Sequence, residues 1–137
     1  MKTNKKSPFE GCWATWWSDC RTNGKPAGGA RLALKIDPLN PDTLTGAWTG
    51  TAEDNKGFKH CGFMIGKQRG NELNGTWYEV IYKDNQTCPT LSYCGKFRFV
   101  IESDSHFNGT WTDHNGPCKP ANIPVDVMYW NGDKSNS

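Results

Sequence analysis

Four acids and three imidazoles in this chain stand where they could do chemistry. Glu79 lies between Trp77 and Ile81 at alternating positions, so a strand that turns Trp77 inward carries the Glu79 carboxylate inward with it. Apolar surroundings disfavour the charged carboxylate and raise its pKa, which suits a general acid or base. The plainer alternative is a bulge that turns Glu79 to water and points Val80 in. Asp19, Asp54 and Asp113 fall at the ends of aromatic-rich strands. Asp in such places often makes turn hydrogen bonds; two or three converging there would favour a cationic or hydroxyl-rich ligand. Of the bases His60, His106 and His114, His114 sits beside Asp113, whereas His106 falls in a short turn at the opposite end and reads as solvated. The catalytic candidates are therefore Glu79, Asp113 and His114.

The six Cys admit two readings. No C-x-x-C or H-x-x-x-H spacing is present, so no metal site is assigned and no cofactor is called for. As disulfides, Cys88 and Cys94 could close one loop, and Cys20 could reach Cys118 if the first and last hairpin loops are neighbours. Pairing implies an oxidising compartment, secreted or periplasmic, and unpaired thiols a cytoplasmic one. Sequons at Asn74, Asn85 and Asn108 are compatible with secretion. The basic start at residues 1–10 has no apolar stretch behind it and does not read as a signal peptide.

The elements that must position these residues are legible in four motifs. Phe9 to Trp13, Leu44 to Trp48, Leu73 to Trp77 and Phe107 to Trp111 all read large apolar, any, Gly, any, Trp, with Trp spacings of 35, 29 and 34 residues. Period 2 places Phe/Leu, Gly and Trp on one face and short or polar residues on the other, the pattern of a half-buried strand. A Gly recurring in each strand suggests a bend repeated around a closed sheet. Between the motifs, Leu32, Leu34 and Ile36 alternate with Arg31, Ala33 and Lys35, and Phe97, Phe99 and Ile101 with Lys96, Arg98 and Val100; Ile123, Val125, Val127 and Tyr129 share one face. The stretch 60–66 is apolar on both faces, so its register is open. Short turns at 37–42, 69–71 and 103–105 alternate with longer loops at 20–29, 53–58, 84–95 and 114–122.

The expected fold is all-β: an eight-stranded antiparallel up-and-down barrel of four pseudo-repeated hairpins, one domain over residues 1–137 with tails at 1–7 and 132–137. Alternate loops share an end, so the four long loops and five of the six Cys gather at one mouth. Parity then sends Thr15, Trp17 and Asp19, then Asp54, Glu79 and Asp113, toward that mouth above a floor of Trp. An apolar floor with a polar rim is what a ligand cavity requires. The candidate ligand-binding set is Thr15, Trp17, Asp19, Trp48, Asp54, Trp77, Glu79, Trp111, Asp113 and Tyr129.

The first-strand Gly-x-Trp, with hairpins entered through Phe/Leu-x-Gly-x-aromatic, resembles the calycin superfamily of small barrels, the avidins and lipocalins. The avidins are the nearer likeness: residues 97–130, with FRFVIE, HFNGTWTDHNG and VMYW, are similar in layout to late avidin strands, and FEGCWATWWSD to the first. The resemblance implies an eight-stranded barrel with a cavity. Avidins hold biotin with polar residues after the first and third strand motifs. Here Thr15 stands where an amide is expected, Trp48 where a phenol is, and Gly50 where a hydroxyl is, so the resemblance implies fold and cavity more than biotin. Lipocalins carry a helix after the late strands, whereas this chain ends in a polar tail.

Composition narrows the partners. Sixteen Lys and Arg against 14 Asp and Glu give a net charge of +2, too weak a field to drive binding to nucleic acid or anionic lipid, and no apolar run is long enough for a membrane helix. Only 35% of residues are hydrophobic, yet seven are Trp, and each buried indole removes roughly 200 Å² from water. Three functions remain: a binder of a small, partly apolar or aromatic molecule in the barrel; an enzyme of isomerase, cyclase or decarboxylase type using Glu79, Asp113 or His114; and a lectin-like carbohydrate-binding module using Trp16 or Trp130. A homo-oligomer is compatible with each.

Overall fold

A computed structural model describes residues 7–50, 57–84, 87–119 and 128–135. Eight strands follow one another in chain order: β1 (Gly11–Trp17), β2 (Gly28–Asp37), β3 (Asn40–Gly50), β4 (Lys59–Arg69), β5 (Glu72–Tyr82), β6 (Thr90–Ser103), β7 (His106–Trp111) and β8 (Trp130–Ser135). Each pairs antiparallel with the next, and β1 pairs with β8, which closes the barrel. This is the architecture that the calycin resemblance implies. The short turns join β2 to β3, β4 to β5 and β6 to β7 at one end, and the four longer connections lie at the other.

The four motifs occupy the odd-numbered strands or their entrance, and their apolar residues are all inside. Phe9 and Trp13, Leu44 and Trp48, Leu73 and Trp77, and Phe107 and Trp111 are each less than a tenth exposed. The end with short turns is filled solid. Trp13 packs edge-on against Phe107 at 4.9 Å, Phe107 stacks on Phe99 at 4.2 Å, and Leu32, Leu34, Leu44 and Leu73 complete the layer. The Trp13 indole N–H donates to the Phe9 carbonyl at 2.8 Å, so the floor carries no unpaired donor there.

Glycines on neighbouring strands make room for the indoles. Opposite residues of an antiparallel pair share a face, and Trp17 lies opposite Gly28, Trp48 opposite Gly62, and Trp77 opposite Gly95. A methyl group at Gly62 would fall 2.3 Å from two ring carbons of Trp48 and 2.2 Å from the Tyr78 carbonyl oxygen. This settles β4: Gly62, Met64 and Gly66 face inward, while Phe63 and Ile65 face out and are partly exposed. On the outside Phe63 stacks on the cross-strand Tyr78 at 4.8 Å.

Three expectations need correction. β8 runs through Ser135, where a tail was expected from residue 132, because it is held along β1 from Trp17↔Trp130 to Cys12↔Ser135. Tyr129 does not face inward: Met128 and Trp130 are buried instead. Pairing with the inward Trp17 fixes that parity, and both backbone groups of Tyr129 are tied to Ser18, by a bond from Tyr129 N–H to Ser18 Oγ at 2.9 Å and one from Ser18 N–H to Tyr129 O at 3.0 Å. Ile123, Val125 and Val127 lie outside the described residues. Finally, β6 starts at Thr90, inside the expected loop 84–95.

Candidate functional site

A cavity of about 250 Å³ opens at the end with the long connections. Its aromatic wall is Trp17, Trp48, Trp77, Trp111 and Trp130, with Tyr93 at the rim; its polar groups are Asp19, Arg21, His60, Glu79 and Asp113, with Pro117 and Cys118 beside them. Trp17, Trp48 and Trp130 form a triangle of edge-to-face contacts, with centroids 5.8–6.3 Å apart, and Trp77 meets Trp111 edge-on at 5.6 Å. Such contacts stiffen the wall.

The indole N–H groups divide into two kinds. Trp77 donates to Thr112 O at 3.0 Å and Trp111 to Ser18 O at 2.8 Å. Those of Trp48 and Trp130 are buried without a hydrogen-bond partner among the described residues. A buried unsatisfied donor costs about 1–3 kcal/mol, so two on one cavity wall call for an explanation.

The acids are placed differently from one another. Asp113 is buried, and its carboxylate oxygens accept the backbone N–H groups of Gly116 at 2.8 Å and Cys118 at 2.9 Å. It folds its own loop, which argues against a proton-transfer role. Asp19 accepts the Arg21 backbone N–H at 2.8 Å on one oxygen and the Arg21 guanidinium at 2.8 Å on the other. Hydrogen bonding and charge from Asp19 raise the Arg21 pKa above its ordinary value. Glu79 accepts the Ser92 hydroxyl at 2.8 Å on one oxygen and faces His60 Nδ1 at 3.3 Å on the other.

A bulge assembles this last group. Between the pairs Tyr78↔Cys94 and Val80↔Leu91, β5 advances two residues while β6 advances three. Ser92 and Tyr93 thus oppose the single Glu79; Ser92 reaches its carboxylate, and Tyr93 stands at the cavity rim. Glu79 itself stays inward, so the bulge lies in the partner strand rather than its own. Outside the same wall, burial and then the Glu79 charge push the Cys61 thiol pKa up.

Of the ten residues expected to bind ligand, Trp17, Asp19, Trp48, Trp77, Glu79, Trp111 and Asp113 line the cavity. Thr15 does not: it is buried one inward position deeper and donates its hydroxyl to Ala30 O at 2.9 Å. Tyr129 lies on the opposite face from the lining, for the parity reason given above, and Asp54 lies outside the described residues. His114, proposed as a base, is exposed and does not line the cavity. Arg21, Tyr93 and Pro117 were missed and His60 was not placed in the site; Cys118 was expected at this mouth, and Trp130, expected as an exposed sugar-stacking residue, is instead buried in the cavity wall. His60 had no local signal, because the parity of 60–66 is fixed only when Trp48 is laid opposite Gly62.

The Cys20–Cys118 bridge is formed and ties the β1–β2 connection to the β7–β8 connection across the mouth. The Asp19 carboxylate lies within 4.8 Å of both sulfurs, but sulfurs bonded to each other are not thiolate ligands. Cys88 and Cys94 are not joined. Cys94 sits in the β6 ladder opposite Tyr78, its N–H held by Asn115 Oδ1 at 2.9 Å. His106 is also more than solvated: it faces Asp133 at 2.7 Å and Asn108 at 3.0 Å, and the Asp133 bond leads the causes that raise its pKa.

No protein-family model matches the chain, and no curated protein shows significant similarity to it.

Proposed function

We propose that the protein binds a small, partly apolar or aromatic molecule in the mouth of the barrel. The observation that carries this reading is a cavity of about 250 Å³ walled by five indoles, with the Glu79 carboxylate and the His60 imidazole among its polar groups. Apolar walls supply affinity and a few placed polar groups supply orientation. The cavity is slightly smaller than the roughly 300 Å³ at which pockets for drug-sized ligands begin, so the ligand is one ring system or its aliphatic equivalent. The avidin likeness supports a cavity reading but not biotin, since Thr15 spends its hydroxyl on the barrel wall.

The test is intrinsic Trp fluorescence and calorimetry of the protein against a panel of small metabolites and sugars, with Trp48→Phe alongside. Quenching or a blue shift by apolar small molecules, weakened in Trp48→Phe, is expected. Response to free sugars alone would overturn the reading in favour of a lectin-like module. A second reading, proton-transfer catalysis, is favoured by Glu79 and His60 facing one another across 3.3 Å. Conversion of a bound molecule, lost in Glu79→Gln at an unchanged melting temperature, would establish it.

A further inference from the structure

We propose that the ligand is an organic cation, an ammonium centre on a small apolar or aromatic body, with the positive centre held against Glu79. This rests on the cavity-binding reading and adds the ligand's charge. Three carboxylates line the cavity, those of Asp19, Glu79 and Asp113, against one guanidinium, Arg21. Asp19 uses both oxygens on Arg21, and Asp113 uses both on backbone N–H groups. Glu79 has neither: among the described residues it makes no ion pair with a Lys or Arg and accepts no backbone N–H, its partners being the Ser92 hydroxyl and an imidazole nitrogen of His60. Its side chain is only 19% exposed, and a carboxylate withdrawn from water gains from an arriving positive charge.

The neighbours of Glu79 suit an organic cation better than a metal ion. Trp48, Gly62 and Glu79 stand side by side on the inner face of β3, β4 and β5. Because Gly62 has no side chain, the Trp48 indole lies across it toward Glu79. A centre held by the carboxylate therefore rests beside an indole, with Trp77 two residues earlier on the same strand and Tyr93 brought in by the bulge. Aromatic groups attract a desolvated ammonium through their negative faces, and several together with a carboxylate form a cage for it. A metal ion would ask for several oxygen, nitrogen or sulfur ligands at once, and the described residues in contact with Glu79 offer only the His60 imidazole and a neutral Ser92 hydroxyl.

The test uses matched pairs differing in charge but not in shape: choline with 3,3-dimethylbutan-1-ol, and phenethylammonium with 2-phenylethanol. Calorimetry and Trp fluorescence on the whole protein should show each cation binding at least tenfold tighter than its neutral partner. Added salt should weaken the cations and leave the neutral compounds alone. Glu79→Gln, which can still accept the Ser92 hydroxyl, should erase the preference. If that variant does not fold, the wild-type pairs and the salt series decide. Neutral partners binding as tightly as the cations, or a Glu79→Gln protein that keeps the preference, would overturn the charge assignment and leave a neutral-ligand cavity. No response to any of the four, nor to the wider panel, would overturn the cavity reading itself.

Discussion

Breaking the Cys20–Cys118 bridge should remove a large part of the barrel's stability. The two sulfurs are 98 residues apart in a chain of 137, so the bridge closes most of the chain into one loop. For a loop of about 100 residues, the unfolded chain loses entropy worth roughly 4.7 kcal/mol, and removal of native bridges from small domains costs about 2–5 kcal/mol. For a domain of this size each kcal/mol is worth roughly 3–5 °C, so the melting temperature should fall by about 10–20 °C on reduction. Cys20 is partly exposed, which gives a reductant access, whereas Cys118 is buried against the cavity. Cys20→Ala and Cys118→Ala lose the same loop constraint, but Cys118→Ala also opens space beside Pro117 and should be the worse of the two. The assay is thermal and guanidinium denaturation with and without phosphine reductant, with thiols counted under denaturing conditions. Four thiols are expected before reduction, those of Cys12, Cys61, Cys88 and Cys94, and six after. A native protein with six thiols, or a melting temperature that moves by less than about 3 °C when the bridge is opened, would refute the reasoning.

Four more outcomes follow from the packing and the charges. Gly62→Ala drives a methyl group into Trp48 and the Tyr78 carbonyl; a loss of about 1–3 kcal/mol and a shift in Trp emission are expected in urea titration, and a change under about 0.5 kcal/mol would show that the wall yields. Trp111→Phe and Trp48→Phe delete the same atoms, but only the first breaks an indole hydrogen bond, to Ser18 O, so it should cost about 1 kcal/mol more. The His106 pKa is raised in the folded state, mainly by Asp133. Its contribution is thus full below the unfolded value near 6.5 and lost as pH rises through the folded value. With Asp133 60% exposed, screening holds it to about 0.5 kcal/mol, visible as a larger His106→Gln deficit at pH 5.5 than at pH 8.5. Lastly, maleimide should label exposed Cys88 well before Cys61, whose thiol pKa is raised by burial; equal rates would contradict that burial.

How far the sequence reached depended on whether a residue's direction is set locally or across strands. The buried positions of the four motifs were legible because period 2 acts within one strand, as the inward Phe9, Leu44, Leu73 and Phe107 bear out. β4 was not, since apolar residues on both faces leave parity open until a neighbour is known. Its answer lay in Gly62 and Gly66, which are inward because Trp48 fills the place of one side chain and Phe97 and Leu73 crowd the other. That complementarity links residues on different strands and carries no local signature.

The same distinction explains the errors at the site. Tyr129 was assigned inward by extending the alternation of 123–127 without a break, yet the face of this last segment is dictated by β1, through Trp17↔Trp130 and the two Ser18 bonds. Tyr93 was missed because one extra residue in β6 is invisible until β5 is laid against it. In the second case an irregularity supplies cavity lining, bringing Ser92 to Glu79 and Tyr93 to the rim. The regular ladder builds the solid floor, and this departure from it furnishes part of the mouth. A bulge costs ladder hydrogen bonds, so a variant that deletes Ser92 should pair β5 and β6 more regularly, raise stability, and abolish binding of whichever ligand Glu79 holds. A deletion variant that is less stable and still binds would mean that the bulge serves the barrel and not the site.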